Sequence, residues 1–335
     1  MTTSFLISPD LLPLTGHTPA FSKAGVGGIL GPSLGASLLS DQYGFPFVKR
    51  GRALLLAADF GGHHQKQHFD TYTFLILDLA KNQEWLSWQH HYFRDTVLPN
   101  SRRMSFKALN DGMRRRALVP FMQAAAGIEG CLVQFAISKV GGSLFTDQIN
   151  DEIGAELLKK WKVTVQERLL RVLHLSAFLL SGLSTPGQDI LWIIDEDDIA
   201  ANVPLLTSLT ELFGRVLSSY SSHTLRHIRC GTTSTFEDGN LIFEDIAAIA
   251  DLTTGALGEL CTGFVNDAVF PRRGLITPLP NNLTWKTKLI ASWMAAPGFR
   301  IRRHTTILEM EPGSTKSRIT TLGWRMYEGS VITLP

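Results

Sequence analysis

The run Ala53-Leu54-Leu55-Leu56-Ala57-Ala58 has no polar interruption before Asp59. A continuous apolar run of this length predicts a strand buried on both faces, beginning at about Arg52. A Gly/His-rich turn follows, and Thr71 to Leu79 predicts a second strand. The aromatic segment from about Trp85 to Phe93 predicts a third, so that the three form an antiparallel meander with short connections. A helix around Phe106 to Ala126 leads to a strand at Cys131 to Ser138, whose helical connection predicts parallel pairing with the first strand. Beyond it the pattern predicts a long helix over Glu152 to Ser181, a strand at Asp189 to Ile194, a helix over 201–219, a short strand near His227 to Gly231, and a helix from Phe243 to Cys261.

The flanks read differently. Residues 1–48 are rich in Gly, Pro and Ser, with Gly25-Val26-Gly27-Gly28 and Gly31-Pro32 breaking any period, which predicts an irregular arm. After Pro271, a helix over 284–295 and alternating runs at Arg300 to Met310 and Ser317 to Val331 predict a C-terminal helix and β-hairpin appendage. The expected organisation is therefore an arm over 1–48, an α/β domain over 49–270 and the appendage over 271–335. The domain's fold class is a mixed sheet, an antiparallel meander plus parallel strands, flanked by helices.

With 335 residues, 44% hydrophobic and 19% charged, and a net charge of +2, the chain has an ordinary globular composition. Total charge implies no strong electrostatic partner. Basic residues are nevertheless bunched at Arg102-Arg103, Arg114-Arg115-Arg116, Lys159-Lys160-Lys162, Arg272-Arg273 and Arg300-Arg302-Arg303. Such clusters either form a local nucleic-acid footprint or sit on solvated helix faces and loop ends. Three cysteines, Cys131, Cys230 and Cys261, are odd in number and far apart. That argues against a disulfide framework and for a reducing compartment. The N-terminus lacks a basic segment followed by a long apolar run, and no window approaches the roughly 20 apolar residues that span a bilayer. A cytoplasmic protein without a membrane partner is expected.

Acids recur where strands end. Asp59 closes the first strand before Phe60-Gly61-Gly62, either as a metal-binding carboxylate at the sheet edge or as a turn aspartate ahead of a glycine pair. Leu191-Trp192-Ile193-Ile194 ends in Asp195-Glu196-Asp197-Asp198. Four adjacent carboxylates repel one another unless solvated or shared with a cation, although Asp197 or Asp198 could equally cap the next helix. In the last motif Glu244 and Asp251 lie seven residues apart and so share a helix face, which Gly255 and Gly258 extend. Helix-terminus stabilisation accounts for Glu244 and Asp245, but Asp251 lies two turns in. His63, His64 and His68 follow Asp59 as further candidates for a metal ligand, a proton shuttle or a phosphate contact, or as a polar hairpin loop. No P-loop and no Gly-x-Ser-x-Gly nucleophile motif occurs.

The succession of strand-Asp59-Phe-Gly-Gly, strand-Asp195-Glu-Asp-Asp and Phe-Glu-Asp-Ile-Ala-Ala-Ile-Ala-Asp251-Leu-Thr-Thr-Gly-Ala resembles a widespread, mostly uncharacterised bacterial family of RNase H-like proteins. The resemblance covers roughly residues 52–262. Members more often carry Asp-Glu-Ser-Gly where this chain has Asp59-Phe60-Gly61-Gly62, so the neighbouring acid and hydroxyl are absent here. The resemblance implies an RNase H-like sheet and two-metal phosphodiester hydrolysis. Asp59, Asp195 and Asp251 would then hold Mg²⁺ or Mn²⁺, with Glu196 and Glu244 in reserve. Separately from the resemblance, Lys107 and Arg114, Arg115 and Arg116 on the helix over 106–126 either face a DNA or RNA backbone or form a solvated face. By analogy the setting is bacterial defence or a mobile element. The competing expectations are a catalytically inactive protein of the same fold that binds a protein partner or forms a homo-oligomer, and a phosphatase-type enzyme using the same acids on a small substrate.

Overall fold

The structure is a computed structural model and describes residues 5–9, 30–31, 34, 51–62, 67–99, 101–141, 152–195, 197–233, 241–271, 277–310 and 317–326. Its strands, in chain order, are β1 (Phe5–Pro9), β2 (Ala53–Gly61), β3 (Phe69–Leu77), β4 (Gly130–Ser138), β5 (Asp189–Ile194), β6 (His227–Thr232), β7 (Thr277–Pro278), β8 (Arg302–Met310) and β9 (Ser317–Met326). Together they form one mixed sheet in the order β6-β5-β2-β3-β4-β8-β9-β1-β7. The helices are α1 (Gln83–Trp88), α2 (Gly112–Ala125), α3 (Glu152–Leu158), α4 (Val163–Leu183), α5 (Val203–Tyr220), α6 (Ile242–Asn266) and α7 (Trp285–Ala295).

Both faces of the sheet are covered, which is why β2 and β4 are apolar at nearly every position. On one face Leu54, Leu56 and Ala58 pack with Val172, Phe178 and Leu179 of α4 and with Phe213 of α5. On the other, Leu55 and Ala57 pack with Phe121 of α2, Ile249 and Leu252 of α6, and Trp293 of α7. Helix α4 is apolar almost all round because it lies between the sheet and α5. Among the described residues, no helix is long and apolar enough to cross a membrane.

The expected α/β class with a helix-flanked mixed sheet is present, but the pairing differs from the sequence reading. Trp85 to Phe93 is not a strand. It forms α1 and a π-helix over Gln89–Val97. Trp85, Gln89 and Phe93 are the buried residues, a four-residue spacing that marks a helix stripe. The third strand of the meander is instead β4, antiparallel to β3, and the parallel partner of β2 is β5. The expected helix over 152–181 is broken at Trp161, whose indole N–H donates to the Ile199 carbonyl at 2.9 Å. The two flanks join the sheet: β8 pairs in parallel with β4, and β1 lies between β9 and β7. Thus the arm contributes a strand, and the C-terminal hairpin continues the central sheet.

Candidate acidic active site

Parallel pairing of β2 with β5 places Ala58 opposite Ile194. The next residues, Asp59 and Asp195, therefore leave neighbouring strands side by side. Ala57 and Ile193, two residues earlier on each strand, belong to the core under α6. By the two-residue alternation of a strand, both aspartates are directed to that face. Helix α6 crosses the same face, and Asp251 in its third turn completes the group. Asp59, Asp195, Asp197, Asp198 and Asp251 all line one cavity of about 630 Å³.

Enclosure and mutual repulsion act on Asp59, Asp197 and Asp251. Burial raises the Asp59 carboxyl well above the ordinary carboxylate range, and the charges of Asp251, Asp195 and Asp197 push it the same way. Burial also raises Asp251, although the Phe106 N–H donates to its Oδ2 at 2.6 Å and Ser105 and Lys107 favour its anion. Asp197 is pushed up to about 6, chiefly by burial, against a hydrogen bond from the Ile199 N–H. That bond is local. The helix beyond is capped by Asn202, which accepts from the Leu205 N–H, so the acidic run is not its cap. Asp198 pairs with Arg168, whose guanidinium also stands 5.8 Å from the centre of the Phe60 ring.

No protein-family model, curated protein or solved structure matches the chain. The chemistry is read from the site itself.

Of the residues expected from the sequence, Asp59, Asp195, Asp251 and Lys107 line the cavity. Glu196, His63 and His64 lie outside the described residues, as do Arg272 and Arg273. Glu244 is turned elsewhere, pairing with Arg103 at 2.8 Å. Asp245, fully buried, binds Arg94 and Gln89 of the π-helix. The arginine cluster is used locally: Arg114 pairs with Asp111, and Arg115 stands over the Trp285 ring at 4.6 Å. Among the described residues, no three His, Cys, Asp or Glu side chains stand close enough to grip an ion as they are placed.

Lys286 of α7 and Arg168 of α4 also line the cavity and were not legible as site residues. The Lys286 ammonium donates to the Phe106 carbonyl at 3.0 Å and sits 3.8 Å from the Phe106 ring centre. One residue thus accepts from the C-terminal helix through its carbonyl and donates to Asp251 through its N–H. Gly255 makes room for it, since an added Cβ would lie 2.3 Å from the Phe106 ring. Gly255→Ala is therefore expected to lower stability by about 1–3 kcal/mol through overpacking, despite alanine's helix advantage of about 1 kcal/mol. Urea unfolding checks this; a more stable variant would mean that Phe106 moves aside freely.

Proposed function

We propose that this protein is a metal-dependent nuclease built on an RNase H-like sheet. The carrying observation is that Asp59, Asp195 and Asp251, brought from three elements distant in sequence, line one cavity. Strand order supports the fold reading. An antiparallel meander β2-β3-β4, with β5 and then β6 added in parallel beside β2, is the arrangement expected of an RNase H-like core. The free cysteines support a reducing, cytoplasmic setting.

The donor set fits a hard divalent cation. Three carboxylates, two of which burial and repulsion shift toward the protonated form, gain from a positive ion, and oxygen ligands select Mg²⁺ or Mn²⁺. Asp59, Asp195 and Asp251 would hold the ions, with Asp197 beside them. Such ions, when bound, activate water and stabilise the leaving oxygen of a phosphodiester. The chain's own groups supply orientation and charge. The Phe106 N–H fixes Asp251, and Lys107, Lys286 and Arg168 place positive charge around the cavity for phosphate oxygens.

The test is cleavage of labelled single- and double-stranded DNA and RNA with Mn²⁺, by the wild type and by Asp195→Asn and Asp251→Asn. Cleavage by the wild type, lost in both variants, is expected. Mn²⁺ affinity should also rise from pH 5 to pH 7, because ligand carboxylates must shed their protons first and Asp197 beside them adds its negative charge only above about 6. A wild type that neither binds Mn²⁺ nor cuts any polymer would point instead to a non-catalytic binding or assembly subunit.

A further inference from the structure

One part of the cavity is not used by the acids. Thr71 is 1% exposed and lines the cavity beside Gln67. Among the described residues, neither the Thr71 hydroxyl nor Gln67 Oε1 has a hydrogen-bond partner, although both atoms are buried. Buried polar atoms are nearly always satisfied, so two orphans in one recess point to a missing partner. Glycines keep the recess open. A Cβ at Gly61 would lie 3.2 Å from Thr71 Oγ1, and one at Gly258 would lie 3.3 Å from Gln67 Nε2.

Its place relative to the acids follows from the register. Thr73 stands opposite Asp59 and Thr71 opposite Gly61. Thr71 is therefore two residues along the same face, about 7 Å from the Asp59 row. The two orphaned atoms of the recess are a hydroxyl and an amide oxygen, whereas the described cations lining the cavity, Lys107, Lys286 and Arg168, suit phosphate. A phosphate oxygen only accepts and cannot satisfy an amide carbonyl. A neutral hydroxyl both donates and accepts, so it satisfies Thr71 and either orientation of the Gln67 amide.

We propose that the Thr71–Gln67 recess receives a sugar hydroxyl of the strand next to the bond being cut, so that the substrate is RNA rather than DNA. This rests on the nuclease reading above. Deoxyribose has no hydroxyl to offer there, and DNA would leave the recess unpaired.

The experiment compares binding of an RNA oligonucleotide and the DNA of the same sequence by the full chain in Ca²⁺, and their cleavage in Mn²⁺. The wild type should bind RNA about tenfold more tightly, the scale of one good hydrogen bond. Thr71→Val should bring RNA down to the DNA affinity with DNA unchanged, and Thr71→Ser should keep the preference. Gln67→Leu provides a second variant, outside the strand interior, should Thr71→Val fold poorly. Equal treatment of RNA and DNA by the wild type, with cleavage intact, overturns this inference alone. An unaltered RNA preference in both Thr71→Val and Gln67→Leu does the same. Failure to bind or cut either polymer overturns the nuclease reading, and the recess assignment falls with it.

Discussion

Asp59→Asn is expected to reduce metal-dependent cleavage by roughly 10³-fold or more, the scale of losing one group that stabilises charge in a transition state. The same change should make the metal-free protein more stable at neutral pH. Burial and the neighbouring acids raise the Asp59 carboxyl above its unfolded value. A carboxyl raised on folding contributes stability that is fully present below its unfolded value, near 4, and lost as pH rises toward its folded value. Asparagine keeps the volume and removes that loss, so the variant should gain on the order of 1–3 kcal/mol at pH 7 and nothing at pH 3. Added Mn²⁺ should raise the melting temperature of the wild type and leave the variant nearly unmoved. Thermal unfolding at the two pH values, with and without Mn²⁺, reads all of this. A variant less stable than wild type at pH 7 without metal would mean that Asp59 serves the fold rather than the chemistry.

Arg94→Met should give the largest loss of stability. Asp245 is fully buried, and Arg94 Nε and Gln89 Nε2 donate to its Oδ2 at 2.7 and 2.6 Å. Burial already raises the Asp245 carboxyl even with the guanidinium beside it. Removing the arginine leaves a carboxylate in the core with, among the described side chains, Gln89 to answer it, which costs about 3–5 kcal/mol. The loss should shrink as pH falls toward 4, where the carboxyl can be buried neutral. Asp245→Asn in the same chain should recover much of the stability. Urea unfolding of the single and double variants decides the point. A loss below about 1 kcal/mol, the worth of an exposed ion pair, would sink it. The effect should reach the acidic site as well. Arg94 also donates to the Arg102 carbonyl at 2.6 Å, tying down the segment that delivers Phe106 to Asp251.

Much of the frame could be read from the residues. The apolar run before Asp59, the shorter run before Asp195 and the stripe through Asp251, Gly255 and Gly258 each carry their own period, and each became the expected element. Local pattern is informative there because a strand or helix buried on a whole face must display that face in sequence. The aromatic segment at Trp85 to Phe93 misled because bulky residues favour strands while their burial at every fourth position serves a helix. Arg94 was silent, since its role depends on an aspartate 151 residues away.

The sequence by itself determined most of the strands and helices of the core, with two acids near the ends of strands and a third two turns inside a helix. Only the tertiary structure decided which strands are neighbours, because hydrogen-bonded pairing joins residues that share no local signal. It alone sent Asp245 and Glu244 to the Arg94 and Arg103 partners while Asp251 faced Asp59. It also brought Lys286 from the C-terminal helix to the cavity and left the Thr71 hydroxyl, among the described residues, without a hydrogen-bond partner inside it. A side chain's chemistry is set by what surrounds it, and in this protein those surroundings come from elements far apart along the chain.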